Sequence, residues 1–385
     1  MTRPLRLLIV AGEVSGDLQA ARLIRALKQR HPAVECFGIG GDALRAEGME
    51  ILTDARHMAV MGLTEVLKRL FFFRRVFFNL LEEARKRRPD AVLLVDYPGF
   101  NLRFAERAHR LGLKVVYYIC PQVWAWNRRR IPHMARIVDR LISIFPFEPD
   151  VFKGTGLKVD YVGHPFYDEA QAGLALPSPE LPWGGSPQLA LLPGSRRHEI
   201  QRLLPPMLET VRLLLPFHPQ LGVLIAAPSR EIGDWVQTIA DRHGGLPPQT
   251  GIVYNRTRDV LRTATAALVA SGTATLEAGL MGCPTVILYK MSWPTYWLGR
   301  RLVHIRHIGM LNIIADRRIC PEFLQTEANP DNLLSAILPL LENSDSRQQM
   351  IAGLTSVREM LGPSGASERA AEVLLEELMS GASGQ

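Results

Sequence analysis

Short runs of uninterrupted apolar residues, each followed by a stretch with helical periodicity, constrain this chain more than any other feature. In the first part they are Leu5–Ala11, Val34–Gly38, Asp90–Val95, Lys114–Ile119 and Arg140–Ile144, with helical spacing as in Asp17–Gln29 between them. A strand that is apolar along its whole length is buried on both faces, so helices alternating with such strands imply a parallel sheet covered on both sides. The rhythm breaks over Ala170–Gln188, where Gly173, Pro177, Pro179, Pro182, Gly184, Gly185 and Pro187 crowd together and read as a linker. It restarts with Leu189–Leu192, Leu221–Ala227, Gly251–Tyr254, Ala266–Ala270 and Thr285–Tyr289, and from Asn329 onward the pattern is helical. The expectation is an α/β chain of two doubly wound domains facing a cleft, and 385 residues at 47% hydrophobic suffice for two cores.

Composition removes several classes. No run of 18 or more apolar residues occurs, so no membrane-spanning helix is expected, and the N-terminus lacks the apolar core of a signal peptide. Cys36, Cys120, Cys283 and Cys320 lie far apart and read as reduced core thiols, with neither disulfide nor zinc spacing. A net charge of +7 implies an anionic partner. Nucleic acid, anionic lipid and phosphorylated substrate all remain open on charge alone.

Two loops in the second half suit phosphate. The strand Ala266–Ala270 runs into Ser271, Gly272 and Thr273, and a helix starts at once, so free amides, hydroxyls and the positive end of a helix dipole converge. Glu277, one turn on, is spaced to take the two hydroxyls of a ribose. The loop Pro193-Gly194-Ser195-Arg196 also follows an apolar strand and adds a cation. Together they suggest a nucleotide diphosphate. No DxD pair and no His/Asp/Glu cluster with ligand spacing appears, so no metal is expected, and Arg196 with the helix N-termini would neutralise a leaving group.

In the first half, ligands should bind beyond the carboxyl ends of strands. Gly12-Glu13-Val14-Ser15-Gly16-Asp17 follows the first strand. Gly12 and Gly16 permit close approach, while Glu13, Ser15 and Asp17 supply polar contacts. A tight turn capped by Ser15 or Asp17 is the plainer alternative. The spacing is out of register for a GxSxG nucleophile, and Gly38-Ile39-Gly40-Gly41-Asp42-Ala43 is a weak dinucleotide match after the wrong strand. Asp96 ends a strand before Tyr97-Pro98-Gly99-Phe100-Asn101. Desolvation there would raise its basicity and suit a general base, with Asn101 as the helix cap. Gln122, Trp124, Trp126 and the run Arg128–Arg130 follow another strand, either packing on a sugar or wedging the loop onto the core. His164, beside the linker, reads as structural.

One helix is too greasy for an ordinary surface. Val66, Leu70, Phe73, Phe77, Leu80, Leu81 and Ala84 form a core stripe, which leaves Leu67, Phe71 and Phe78 on a second flank beside Arg74 and Arg75. That flank suits a bilayer surface or an acyl chain, or else burial against a neighbour. The run Trp293–Leu302 could extend it. Lipid is favoured over nucleic acid as the anionic partner, since no nucleic-acid module is visible.

Gly12–Asp17, Ala59-Val60-Met61-Gly62, Val95–Asn101, Val123-Trp124-Ala125-Trp126, Leu191–Arg196 and Ser271–Glu277 occur in the order found in bacterial lipid-A-disaccharide synthases, and the chain resembles that family over residues 5–340. The resemblance implies a GT-B fold of two Rossmann-like domains. Residues 1–168 would form the acceptor and catalytic domain, 169–188 a linker and 189–345 the UDP-sugar domain. Residues 346–385 would be helices packed back on the first domain or exchanged in a homodimer. It implies an inverting, metal-independent glycosyltransferase, without cofactor, peripheral on the cytoplasmic face of the inner membrane. The donor would be UDP-2,3-diacylglucosamine and the acceptor 2,3-diacylglucosamine 1-phosphate (lipid X). Asp96 would be the base. Arg196 and the amides of Gly194 and Ser195 would hold diphosphate, with Ser271, Gly272 and Thr273 on phosphate, Glu277 on ribose and Asn312 near the donor. Glu13, Ser15, Gly16, Asp17, Asn101, Gln122, Trp124 and Trp126 would line the cleft without assigned roles. A UDP-N-acetylglucosamine 2-epimerase, a lipid-linked N-acetylglucosaminyltransferase and a non-enzymatic nucleotide-sugar binding protein are the rival readings.

Overall fold

The structure, a computed structural model, describes residues 4–58, 70–125, 127–293, 296–297 and 306–380. The chain divides into two compact units, residues 1–165 together with 363–385, and residues 166–362.

Unit 1 is built on β1 (Leu5–Ala11), β2 (Val34–Gly40), β3 (Glu50–Asp54), β4 (Ala91–Val95), β5 (Val115–Tyr118), β6 (Arg140–Ser143) and β7 (Lys158–Tyr161). They pair in parallel in the order β3-β2-β1-β4-β5-β6-β7. Alternation along β1 divides the core. Leu7, Ile9 and Ala11 join one buried cluster, Leu8 and Val10 the other, one on each face of the sheet. The helix Val14–Arg30 covers the first face and the helices Leu70–Arg87 and Pro98–Arg110 the second.

The C-terminal helix Ala366–Met379 packs beside Val14–Arg30 and sends Ala370, Ala371, Leu374 and Leu378 into the first cluster. Each of the two leucines contributes about 1.5–3 kcal/mol on full burial. Arg140, nearly buried on β6, donates to Asp160 at 2.5 and 3.0 Å and to Glu376 of that helix at 3.1 Å.

Unit 2 repeats the plan with β8 (Gln188–Leu192), β9 (Gly222–Ala227), β10 (Thr250–Tyr254), β11 (Ala266–Ala270), β12 (Thr285–Tyr289) and β13 (Glu322–Leu324), in the order β10-β9-β8-β11-β12-β13. In each sheet the order reverses once, at β1/β4 and at β8/β11. Such a switch point leaves a crevice beyond the carboxyl ends of the two central strands, where open α/β sheets bind ligands.

The structure changes two boundaries. Residues 169–175 of the expected linker form the second half of the helix Pro165–Ala175. Arg262 fastens that helix end to unit 2, donating to the carbonyls of Gly173, Leu174, Leu176 and Pro177. The helix Asp345–Leu361, expected to leave with the tail, stays in unit 2, and the chain rejoins unit 1 only at Pro363.

Candidate active site

The β1/β4 switch point brings the Gly12 loop beside Asp96. Asp96 and Tyr97 are both left-handed, with φ of +45° and +47°. For residues with a Cβ this costs about 1–2 kcal/mol each. The surroundings hold the pair in place. The Asp96 carbonyl accepts from Tyr117 Oη at 2.5 Å and Asn101 Nδ2 at 2.8 Å, both side chains being buried. Tyr97 Oη donates to the Met58 carbonyl at 3.0 Å, and its ring lies on Gly12, where a Cβ would stand 2.5 Å from Tyr97 Cδ1.

Two side-chain hydrogen bonds thus fix the Asp96 carbonyl, its amide donates to the Tyr118 carbonyl at 3.0 Å, and its carboxyl group, which accepts from the Tyr97 amide, carries no ion pair among the described residues. Burial, reinforced by the nearby Glu13 carboxylate, pushes that carboxyl up to about 6. A base of that strength stays ionised at neutral pH and still takes a proton in a transition state. Tyr117 is held well above the usual phenol range by burial and remains a donor.

The β8/β11 switch point of unit 2 is organised differently. Gly194 is left-handed with φ +111°, and a Cβ there would sit 2.6 Å from Glu199 Oε2. That oxygen accepts from the amides of Ser195 and Arg196 at 3.3 Å each, and Oε1 takes Arg196 Nη1 at 3.1 Å. The carboxylate of Glu199 therefore already fills the anion position offered by this helix start. Across the switch point, Gly272 and Thr273 are exposed at the start of the helix Thr273–Leu280, and Ser271 Oγ donates to the Ile308 carbonyl at 3.4 Å. Glu277 accepts from Arg258 Nε at 2.8 Å, and Arg258 also pairs with Glu169.

The comparisons with known proteins decide the family. The family model described as lipid-A-disaccharide synthetase matches residues 7–376. The lipid-A-disaccharide synthase of Myxococcus xanthus is 41% identical over 391 residues, covering 99% of this chain and 100% of that protein. Its counterpart in Geobacter sulfurreducens is 40% identical over 377 residues, covering 97% of each chain. The chain belongs to the lipid-A-disaccharide synthase family. Among solved structures, a putative UDP-N-acetylglucosamine 2-epimerase from Listeria monocytogenes superposes with a TM-score of 0.66 at 15% identity, covering 99% of this chain and 98% of that one. The glycotransferase of kitacinnamycin gives 0.64 at 15%, covering 98% and 100%. These likenesses fix the GT-B fold, and membership of the lipid-A-disaccharide synthase family makes the chain a glycosyltransferase of lipid A biosynthesis.

Against this synthase framework, several of the expected site residues already have internal partners. Asp17 is buried and accepts from the amides of Gly41, Ala43 and Leu44 at 2.6, 3.0 and 3.2 Å. It caps the helix Asp42–Ala46 and occupies the glycine turn that resembled a dinucleotide fingerprint. Asn101 is not the helix cap; it lies beneath Asp96 and braces it. Trp124 is a wedge, with Nε1 donating to the buried Glu148 at 3.2 Å and its ring edge-on to Phe147 at 4.9 Å. Burial raises Glu148 to about 8 and lowers His164 to about 3. Asn312, expected near the donor, is held inside unit 2 by internal partners. It is fully buried, its Nδ2 donating to Cys320 O and Glu322 Oε1 and its Oδ1 accepting from the amides of Ile319 and Cys320, all at 2.7–2.9 Å. The Ser195 amide, expected on diphosphate, is engaged by Glu199. Glu13, Ser15 and Gln122 remain exposed, while Gly16 is buried. Trp126 and the Ala59–Gly62 motif lie outside the described residues.

On the helix Leu70–Arg87, Val76, Leu80, Leu81 and Ala84 face the core. Leu70, expected in that stripe, is exposed, and Val76, not expected in it, is buried; Val66 lies outside the described residues. Phe71 is 85% exposed and Phe78 53%, with Arg74 over the Phe78 ring at 5.7 Å and Arg75 exposed beside it. Leu67 lies outside the described residues. Trp293 and Trp297 are also exposed. No helix among the described residues is long and apolar enough to cross a membrane.

Proposed function

We propose that the chain joins UDP-2,3-diacylglucosamine to lipid X in a single inverting displacement, without metal, yielding the β-1,6-linked disaccharide 1-phosphate and UDP. Asp96 takes the proton from the acceptor 6-hydroxyl as that oxygen bonds to the donor's anomeric carbon. The bond from that carbon to the diphosphate breaks, and UDP leaves with the electron pair. Asp96 carries the reading: a strained, braced, desolvated carboxylate at a switch point, with its side chain left for chemistry. Tyr117 and Asn101 position it.

In unit 2, Arg196 holds the diphosphate once Glu199 yields, the exposed start of the helix Thr273–Leu280 adds its dipole, and Glu277 meets the ribose. The exposed Phe71 and Phe78 beside Arg74 and Arg75 support seating on the anionic cytoplasmic face of the inner membrane. Homodimerisation through the C-terminal helices stays part of the family reading.

An assay with both acylated substrates in detergent micelles, metal chelated, tests the reaction. Disaccharide and UDP formed together are expected. UDP released without lipid X, or epimerised sugar, would overturn the reading. Vesicles containing anionic lipid should retain the wild type and release a Phe71→Ser/Phe78→Ser variant; equal retention would remove this helix from the membrane contact.

A further inference from the structure

Among the described residues, both arginines at the unit 2 switch point are already paired with carboxylates. Arg196 shares its guanidinium with Glu199, and Arg258 is divided between Glu277 and Glu169. A diphosphate leaving group and a sugar 1-phosphate nevertheless both need cations. Next to β11 in the same sheet, β12 ends at Tyr289 and delivers Lys290. Lys290 and Arg202 line one open cavity of about 530 Å³, and neither has an acidic partner among the described residues. Arg202 projects from the helix Arg197–Leu214 that follows the Arg196 loop.

The cavity wall is held rigidly. Gln325, itself buried and left-handed with φ +50°, takes the Met291 amide on Oε1 at 2.7 Å and donates Nε2 to the Met291 carbonyl at 3.1 Å. One side-chain amide thus pairs both main-chain groups of the residue after Lys290, much as a neighbouring strand would. Ser292 and Thr326 add hydroxyls, and Trp293 adds a half-exposed indole. We infer that Lys290 and Arg202 form a second anion subsite, which takes a phosphate group of a phosphorylated sugar with Trp293 as the apolar wall. Half-burial lowers the pKa of Lys290, so an arriving anion relieves a desolvated charge. The volume falls within the usual range of small-molecule sites, about 300–1,000 Å³.

The inference rests on unit 2 being the nucleotide-sugar side. Two sources offer the same chemistry, the donor's diphosphate and the acceptor's 1-phosphate. Calorimetric titration with UDP and steady-state KM values for each substrate separate them in Lys290→Met, Arg202→Met and Lys290→Arg. Removing a charge-assisted contact should weaken one phosphate ligand about 10- to 100-fold. A weaker UDP Kd assigns the subsite to the donor. An unchanged UDP Kd with a raised KM for lipid X assigns it to the acceptor. Lys290→Arg should recover most of the affinity.

The inference is overturned if both Met variants leave Kd and both KM values unchanged, or if Lys290→Arg fails as badly as Lys290→Met, since charge would then be irrelevant. Arg196→Ala in the same titration tests the underlying reading on its own. Unchanged UDP affinity there sinks the donor assignment of unit 2, whatever Lys290 does.

Discussion

The two switch points solve opposite problems. At β1/β4 the protein isolates a carboxylate: strain and two buried donors fix the Asp96 carbonyl, and its carboxyl group is left without a cation among the described residues. At β8/β11 it prepares for an anion and fills that place with its own carboxylates, Glu199 on the Arg196 loop and Glu277 on Arg258. A base gains strength from being unpaired in a poorly solvated place, whereas amides and guanidinium groups left unpaired would be costly. On the proposed mechanism, the first site is ready before substrate arrives, and the second exchanges an internal anion for an external one.

Asp96→Asn breaks the comparison most severely. Turnover should fall by about 10²–10⁴. In the wild type, kcat/KM should rise with pH through about 6, where the carboxyl deprotonates. The sign for stability is the reverse. A carboxyl whose folded pKa is raised loses stabilising proton binding as pH climbs from its unfolded value toward 6. The neutral variant should therefore melt higher than the wild type at pH 7, by a margin on the order of 1–3 kcal/mol. Inactivity with a lower melting temperature would mean that Asp96 is a structural residue.

Arg196→Ala should cost about 10²–10³ in kcat, because charge develops on the leaving diphosphate. A loss confined to KM would make it a ground-state contact. Tyr117→Phe removes one of the two donors to the Asp96 carbonyl and should lower kcat about tenfold with little change in KM. Tyr117→Phe at full rate would show that Asn101 alone suffices. The smallest effect is expected from Glu199→Gln, which removes the internal anion's charge while keeping an acceptor. UDP affinity should rise a few-fold, and a fall would mean that Glu199 aims Arg196 and holds no place for phosphate.

The central strands were legible because burial on both faces writes an unbroken apolar run. The missed strands β3, β7 and β13 are sheet edges: partly exposed, short, and carrying Glu50, Asp54, Lys158, Asp160 and Glu322. Asp96 was legible as a polar residue at the end of an apolar strand. Its braces were not, because Tyr117 sits within a strand and Asn101 resembles a helix cap. Asp17, Trp124 and Asn312 could not be assigned for one reason: a polar side chain in a motif looks the same whether it meets a ligand or a buried partner.

By itself, then, the sequence determined the alternation of elements, the parallel sheets, the loops at the strand ends and the family, since periodicity and motif order are local properties. Only the tertiary structure decided which polar groups are already partnered, where the chain passes back into unit 1, and which cations beyond β12 lack an acidic partner among the described residues. Those depend on contacts between residues far apart in the chain, such as Asp17 with Gly41 and Arg140 with Glu376, and no local pattern encodes them.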